Sequence, residues 1–127
     1  MMRHARLQAL RLRYPAVYAN TLRAECGDGW FGILDSLGGL LTLQAEQDGR
    51  PVTEIRMFKE KFGILRFGRA SPIVADAAFC RMATALSERV CEVCGCPGAH
   101  SGATVRCASH AHIVDAMAHE ADADGFA

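Results

Sequence analysis

The chain carries no net charge: 14 Lys and Arg balance 14 Asp and Glu over 127 residues. No global field therefore draws it toward nucleic acid. No apolar run approaches the length of about 20 residues that a membrane-spanning helix needs. Residues 1–14 interleave charges with apolar side chains and lack the continuous apolar core of a secretory signal. There is no internal repeat and no low-complexity tract. Ser, His and Asp are present without a nucleophile-elbow pattern. These absences argue against membrane proteins, exported disulfide scaffolds, repeat solenoids and common hydrolases.

What is present starts with six cysteines. Cysteines without an export signal point to a reducing cytosol, where thiols hold metal more readily than they form disulfides. A cytoplasmic setting with no membrane partner is the expectation. Half of the residues are hydrophobic and 22% are charged, as in ordinary globular proteins. The length suits one domain, 1–127. It divides into a helix and hairpin core over 1–90 and a metal module over 91–120 packed on it. Charge is unevenly spread. Arg3, Arg6, Arg11, Arg13 and Arg23 precede the first acid, Glu25, whereas Asp115, Glu120, Asp122 and Asp124 follow the last cation, Arg106. Solvated helix faces are the simplest account.

The expected fold class is α+β, with helices around a small antiparallel hairpin. Residues 3–13 read as a helix carrying Leu7, Leu10 and Leu12 and stopped by Pro15. A second helix is expected over 29–46. Trp30, Ile33, Leu34, Leu37 and Leu41 share one face there, Asp28 sits at the N-cap, and Gly38 and Gly39 allow close packing. Asp48 to Pro51 breaks it. Strands are expected over 52–59 and 63–68. Ser71-Pro72 should open a helix whose buried stripe is Phe79, Met82, Ala83, Leu86 and Val90. A last helix starting at Cys107 should bury Ile113, Val114 and Met117, with fraying after Glu120.

The most specific signal is Cys91-x-x-Cys94, a gap of twelve residues, then Cys107-x-x-His110. Two cysteines three apart in a knuckle ending at Gly95 can aim at one ion, and a C-x-x-H on a helical turn supplies two more donors. This is the pattern of a closed zinc site in a treble-clef-like module. Three thiolates and a neutral imidazole would leave Zn2+ with one negative charge, which Arg106 can offset. His112 is the alternative fourth ligand. Cys96 and His100 are spare donors, and Cys26 and Cys80 read as buried hydrophobes.

Other motifs are less specific. Gly27-x-Gly29-x-x-Gly32 matches the dinucleotide fingerprint, but no apolar strand precedes it and no βαβ unit follows, so it reads as a helix-start turn. Lys59, Lys61, Arg66 and Arg69 interleave with Phe62 and Phe67, a mixture that can hold phosphates and stack bases. The bland alternative puts the aromatics inward and the cations in water. Nucleases on zinc scaffolds need an Asp-His pair and a further His; between Cys94 and Cys107 only His100 appears, without an acidic neighbour.

Several stretches combine into a resemblance: Glu25 to Trp30 ahead of Ile33-Leu34-Asp35, the run Lys59 to Phe67 (KEKFGILRF), Cys91 to Gly98, and Cys107 to His110. In this order they resemble a family of small bacteriophage and prophage proteins whose hairpin often reads KEKFGGLRF; Ile64 stands here in place of the second Gly. The resemblance implies a phage origin, the host cytoplasm and zinc at Cys91, Cys94, Cys107 and His110, and it implies no activity. The expectation is a non-enzymatic, zinc-stabilised accessory protein, a candidate counter-defence factor, that binds a host protein. The alternative is a nucleic-acid binder using the basic N-terminus and Lys59, Lys61, Arg66 and Arg69.

Overall fold

Leu7 and Leu10 lie on one side of the first helix and both bury, whereas Leu12, expected with them, is exposed. In the computed structural model, which describes residues 2–117, this helix is α1 (His4–Arg13). Pro15 disfavours a helical Tyr14 and then opens the short α2 (Pro15–Tyr18) at its first position. A single 3-10 turn (Asp28–Trp30) leads into α3 (Phe31–Asp48), which ends on Gly49 at φ 63°. The expected face is the buried one: Trp30, Leu34, Leu37 and Leu41 form the core with Leu10, Tyr18, Phe58 and Leu65. Gly38 is where α3 meets the α1–α2 corner. A Cβ there would run into the Tyr14 ring and lie 2.9 Å from Tyr18 Cε2. Tyr18 donates its hydroxyl to the Leu34 carbonyl at 2.6 Å.

Asp28 does not cap the helix. Its carboxylate accepts the backbone N–H of Arg3 at 3.0 Å and pairs with the Arg3 guanidinium, tying the N-terminus to the turn. A cation with a backbone donor beside it outcompetes the helix-end N–H groups.

The hairpin forms with later, shorter strands than the periodicity predicted: β2 (Met57–Lys61) and β3 (Ile64–Phe67), with Phe58 opposite Phe67 and Lys59 opposite Arg66. Residues 52–56 are not strand. Their groups are claimed one at a time: Ile55 N–H donates to Val17, the Ile55 carbonyl accepts the Thr21 hydroxyl, and Thr53 donates to Asp76. A third strand, β1 (Arg23–Glu25), pairs parallel to β2, Ala24 against Phe58. Three residues are too few to show alternation, so it was not expected. The β2–β3 turn has positive φ at both central residues, Phe62 at 55° and Gly63 at 80°. A bulky side chain in this conformation costs about 1–2 kcal/mol, yet the Phe62 ring stands 66% exposed.

The helix after Ser71-Pro72 is α4 (Val74–Ser87), with the Ser71 hydroxyl accepting the Ile73 N–H at 3.1 Å. Its stripe is rotated from the expected one. Ala83 buries and Phe79 and Val90 pack partly on the core, but Met82 and Leu86 are 61% and 45% exposed. Polar contacts set the rotation. β3 lies at one edge of the sheet, and edge backbone groups need partners. Ser87 Oγ accepts the Leu65 N–H and Thr84 Oγ1 donates to the Leu65 carbonyl, both at 3.0 Å. At the other end of α4, buried Asp76 takes both Arg50 terminal nitrogens at 2.8 and 3.0 Å and the Thr53 hydroxyl at 2.6 Å.

Beyond α4 come the cysteine knuckle and a two-stranded ribbon, β4 (Ala99–Ser101) and β5 (Thr104–Arg106). The expected last helix is replaced, among the described residues, by one 3-10 turn (Ala108–His110). Val114 and Met117 are exposed, Ile113 is half-buried and Ala116 is buried. The cause is Arg106, whose guanidinium claims the Ile113 and Val114 carbonyls at 3.0 and 3.3 Å and holds that stretch off a helical path. Glu120, Asp122, Asp124 and the fraying expected after Glu120 lie outside the described residues.

Candidate metal centre

Cys91 follows Val90, which bridges to Pro97, and Cys91 N–H donates to the Cys96 carbonyl at 2.8 Å. The chain turns back between them. Gly95 N–H closes the knuckle on the Cys91 carbonyl at 2.9 Å, and Gly95 takes a φ of 84° that other residues rarely adopt. On the other side, β5 delivers Cys107 and the 3-10 turn delivers His110. The four ligand atoms of Cys91, Cys94, Cys107 and His110 all lie within 4.8 Å of one another, so this cluster could hold a metal ion. Cys94 Sγ is 3.7 Å from Cys107 Sγ, and His110 Nδ1 is 3.3 Å from Cys107 Sγ and 3.9 Å from Cys91 Sγ. The cysteines are free thiols, and 3.7 Å is far beyond a disulfide bond.

The electrostatics are asymmetric before any ion is added. Burial pushes the Cys94 thiol up to about 12. Burial also opposes ionisation of Cys107, but hydrogen bonds from the Cys94 thiol and from the His110 and Ser109 N–H groups outweigh it and hold Cys107 below the ordinary thiol value. The Cys96 N–H points at Cys94 Sγ from 3.5 Å, the within-knuckle donor that a thiolate accepts.

The remaining expected donors are elsewhere. His112 and Cys96 are exposed and outside the cluster. His100 lies on β4 with Nε2 at 3.2 Å from Oε1 of Glu88, the residue that follows α4. The acidic partner that sequence could not find for His100 therefore exists in space, but among the described residues the two form a surface pair without a third metal-binding group. Cys26 is buried and Cys80 half-buried. Lys59 is half-buried and Lys61, Arg66 and Arg69 are exposed; Phe67 packs partly on the core.

Two features of the centre were missed. The first is the role of the glycines in the false dinucleotide fingerprint. A Cβ on Gly29 would run into the Cys91 carbonyl and lie 2.6 Å from the Glu92 carbonyl oxygen, and one on Gly27 would run into that same oxygen. Gly29 N–H donates to the Glu92 carbonyl at 2.8 Å, and Trp30 Nε1 donates to the Val90 carbonyl at 3.0 Å. The knuckle backbone is thus docked flat on the Gly27–Gly29 turn. The second feature is a buried ion pair. Glu92, between the knuckle cysteines, accepts Gly27 N–H at 2.8 Å and faces Arg106 Nη1 at 3.5 Å. Burial pushes its carboxyl up, against the pull of the Gly27 N–H and Arg106. Arg106 is engaged with Glu92 and with the Val105, Ile113 and Val114 carbonyls. It therefore serves this scaffold rather than the thiolates it was expected to offset. A charged residue inside a knuckle was the available signal for this pair.

In comparisons with family models, curated proteins and solved structures, none matches the chain. The likeness to phage proteins rests on the sequence motifs alone. No helix among the described residues is long and apolar enough to cross a membrane.

Proposed function

We propose that Cys91, Cys94, Cys107 and His110 hold Zn2+, and that the protein is a non-enzymatic binding module stapled by that ion. The donor spacing carries this reading. Tetrahedral zinc with ordinary Zn–S and Zn–N lengths has S···S edges of about 3.8 Å and S···N edges of about 3.6 Å. The cluster has 3.7 Å for the sulfur pair and 3.3 and 3.9 Å for the sulfur–nitrogen pairs. With all four positions filled by protein, no position is open for a reactive water. The order of knuckle, ribbon and second ligand pair supports a treble-clef-like module in which the closing helix is cut to one turn. Native mass spectrometry with metal analysis tests it: one zinc per chain is expected, and a metal-free chain that melts cooperatively would overturn it.

The surface assigned to a protein partner is the outer ridge of α4. Val74, Met82 and Leu86 are 82%, 61% and 45% exposed at steps of four and eight residues. A host protein retained by the wild type and lost by Met82→Glu is the expected result in a host lysate; equal retention by both would remove the ridge. The second reading, nucleic acid, is favoured by a different observation. Lys59, Lys61, Arg66 and Arg69 form no ion pair among the described residues.

A further inference from the structure

Most acids of the described residues are paired, Glu46, Glu60 and Asp115 excepted. Asp28, Asp35, Glu25, Asp48, Asp76, Glu54 and Glu92 each have an arginine partner, and Glu88 pairs with His100. Among the described residues Lys59, Lys61, Arg66, Arg69, Arg81 and Arg89 form no ion pair. Each of these arginines is exposed, and they lie on the hairpin, the loop after it, α4 and the turn that follows α4. The sheet register sets Lys59 directly opposite Arg66. Like charges in that position repel, and Glu25, in register with Lys59 on its other flank, offsets part of this for Lys59 and leaves Arg66 to gain from an added anion.

Three of the six meet in one groove. Arg66 of β3, Arg69 of the loop after it and Arg81 of α4 line a cavity of about 600 Å³ with Thr84 and Phe67. The groove runs on past Ala85 and Glu88 into a second hollow of about 380 Å³ lined by Arg89, Gly98 and His100. From Arg81 to the helix end at Ser87 the helical rise spans about 9 Å, and Arg89 follows in the turn beyond it. Among the described residues the acid lining the two hollows is Glu88, held by His100 at 3.2 Å, and at the hairpin turn Glu60 accepts the Gly63 N–H at 2.8 Å. At that end the Phe62–Gly63 turn abuts the ribbon: a Cβ on Gly63 would lie 3.2 Å from His100 Cε1. The exposed Phe62 ring, with Lys61 Nζ 6.0 Å from its centroid, stands on this turn in a conformation that favours glycine or asparagine.

We infer that this trough between β3 and α4 binds single-stranded nucleic acid, its arginines on successive phosphates and Phe62 offering a face for a base. The inference rests on the second reading above and deepens it, because Arg81, Arg89 and Phe62 lie outside the four residues assigned there. Charge complementarity argues for a polyanion. The exposed ring at one end favours a strand with unpaired bases over a duplex or an acidic peptide.

The test is fluorescence anisotropy of the metal-loaded protein with a labelled oligothymidylate and an oligouridylate, read against salt. Affinity should fall linearly in log–log form, and Arg66→Glu with Arg81→Glu should flatten the slope by about 1.4, two phosphate contacts at about 0.7 each. Phe62→Ala should weaken binding with the slope intact. Thermal melts of each variant establish that it is folded, and the salt slope of the wild type stands independently of any variant. Absence of binding by the metal-loaded wild type would sink both the inference and the second reading. Flattening by Lys59→Glu and Lys61→Glu but not by Arg81→Glu would sink only the trough. Equal affinity for a duplex, or displacement by polyglutamate at equal charge, would overturn the single-strand assignment.

Discussion

Gly29→Ala probes the docking of the metal knuckle more sharply than removing a ligand. The new Cβ would meet backbone, not a flexible side-chain end: it would run into the Cys91 carbonyl and lie 2.6 Å from the Glu92 carbonyl oxygen. An unstrained C···O contact needs about 3.3 Å, so the knuckle must retreat by roughly 0.7 Å from Glu92 alone. Overpacking of this kind costs about 1–3 kcal/mol. The retreat also stretches the 2.8 Å bond from Gly29 N–H to the Glu92 carbonyl, worth about 1 kcal/mol. The sum is about 2–4 kcal/mol, a fall of roughly 10 °C in Tm for a chain of this size. Because Cys91 is one of the four donors of the proposed zinc site, zinc should also leave faster in a chelator-competition assay. Gly32→Ala is the internal control. A Cβ there meets nothing within 4 Å, and alanine in a helix gains up to about 1 kcal/mol over glycine. Were Gly29→Ala to melt and release zinc like the wild type, the knuckle would not be seated on this turn.

Cys91→Ser or Cys107→Ser should abolish zinc binding, measured by elemental analysis, and unfold the C-terminal third; Cys26→Ser should keep one zinc per chain. Burial opposes ionisation of Asp76, but the Arg50 and Thr53 hydrogen bonds outweigh it and hold the carboxyl below its ordinary value. Its contribution to stability is therefore complete at neutral pH and is lost as acid takes the pH below about 4 and through the folded value. Asp76→Asn should cost about 3 kcal/mol at pH 7 in urea melts, and the difference from wild type should shrink in acid; a difference constant with pH would refute the pairing. Phe62→Asn restores the turn chemistry that positive φ favours and should raise stability by about 1 kcal/mol in the same melts.

Much of the centre could be read directly because its geometry is local. A C-x-x-C turn closed by Gly95 and a C-x-x-H on one turn each set two donors within a few residues, and the chain need only bring the two pairs together. The α3 face was legible for the same reason: Trp30, Leu34, Leu37 and Leu41 repeat with the helix period. The α4 stripe was not, because hydrogen bonds to Leu65 and Arg50 rotate that helix and bury Asp76 and Ser87 in place of Met82 and Leu86. The last helix failed for a similar cause, with Arg106 taking the carbonyls that a helix would have used.

The sequence by itself determined the four candidate metal donors, the principal core helix and the hairpin, since each depends on neighbours within one or two turns of the chain. Only the tertiary structure decided that Gly27 and Gly29 seat the knuckle, that Glu92 and Arg106 pair beneath it, and that Arg81 joins Arg66 and Arg69 in one groove. Those contacts join residues far apart in the chain, and no local spacing encodes which acids find partners and which cations are left facing solvent.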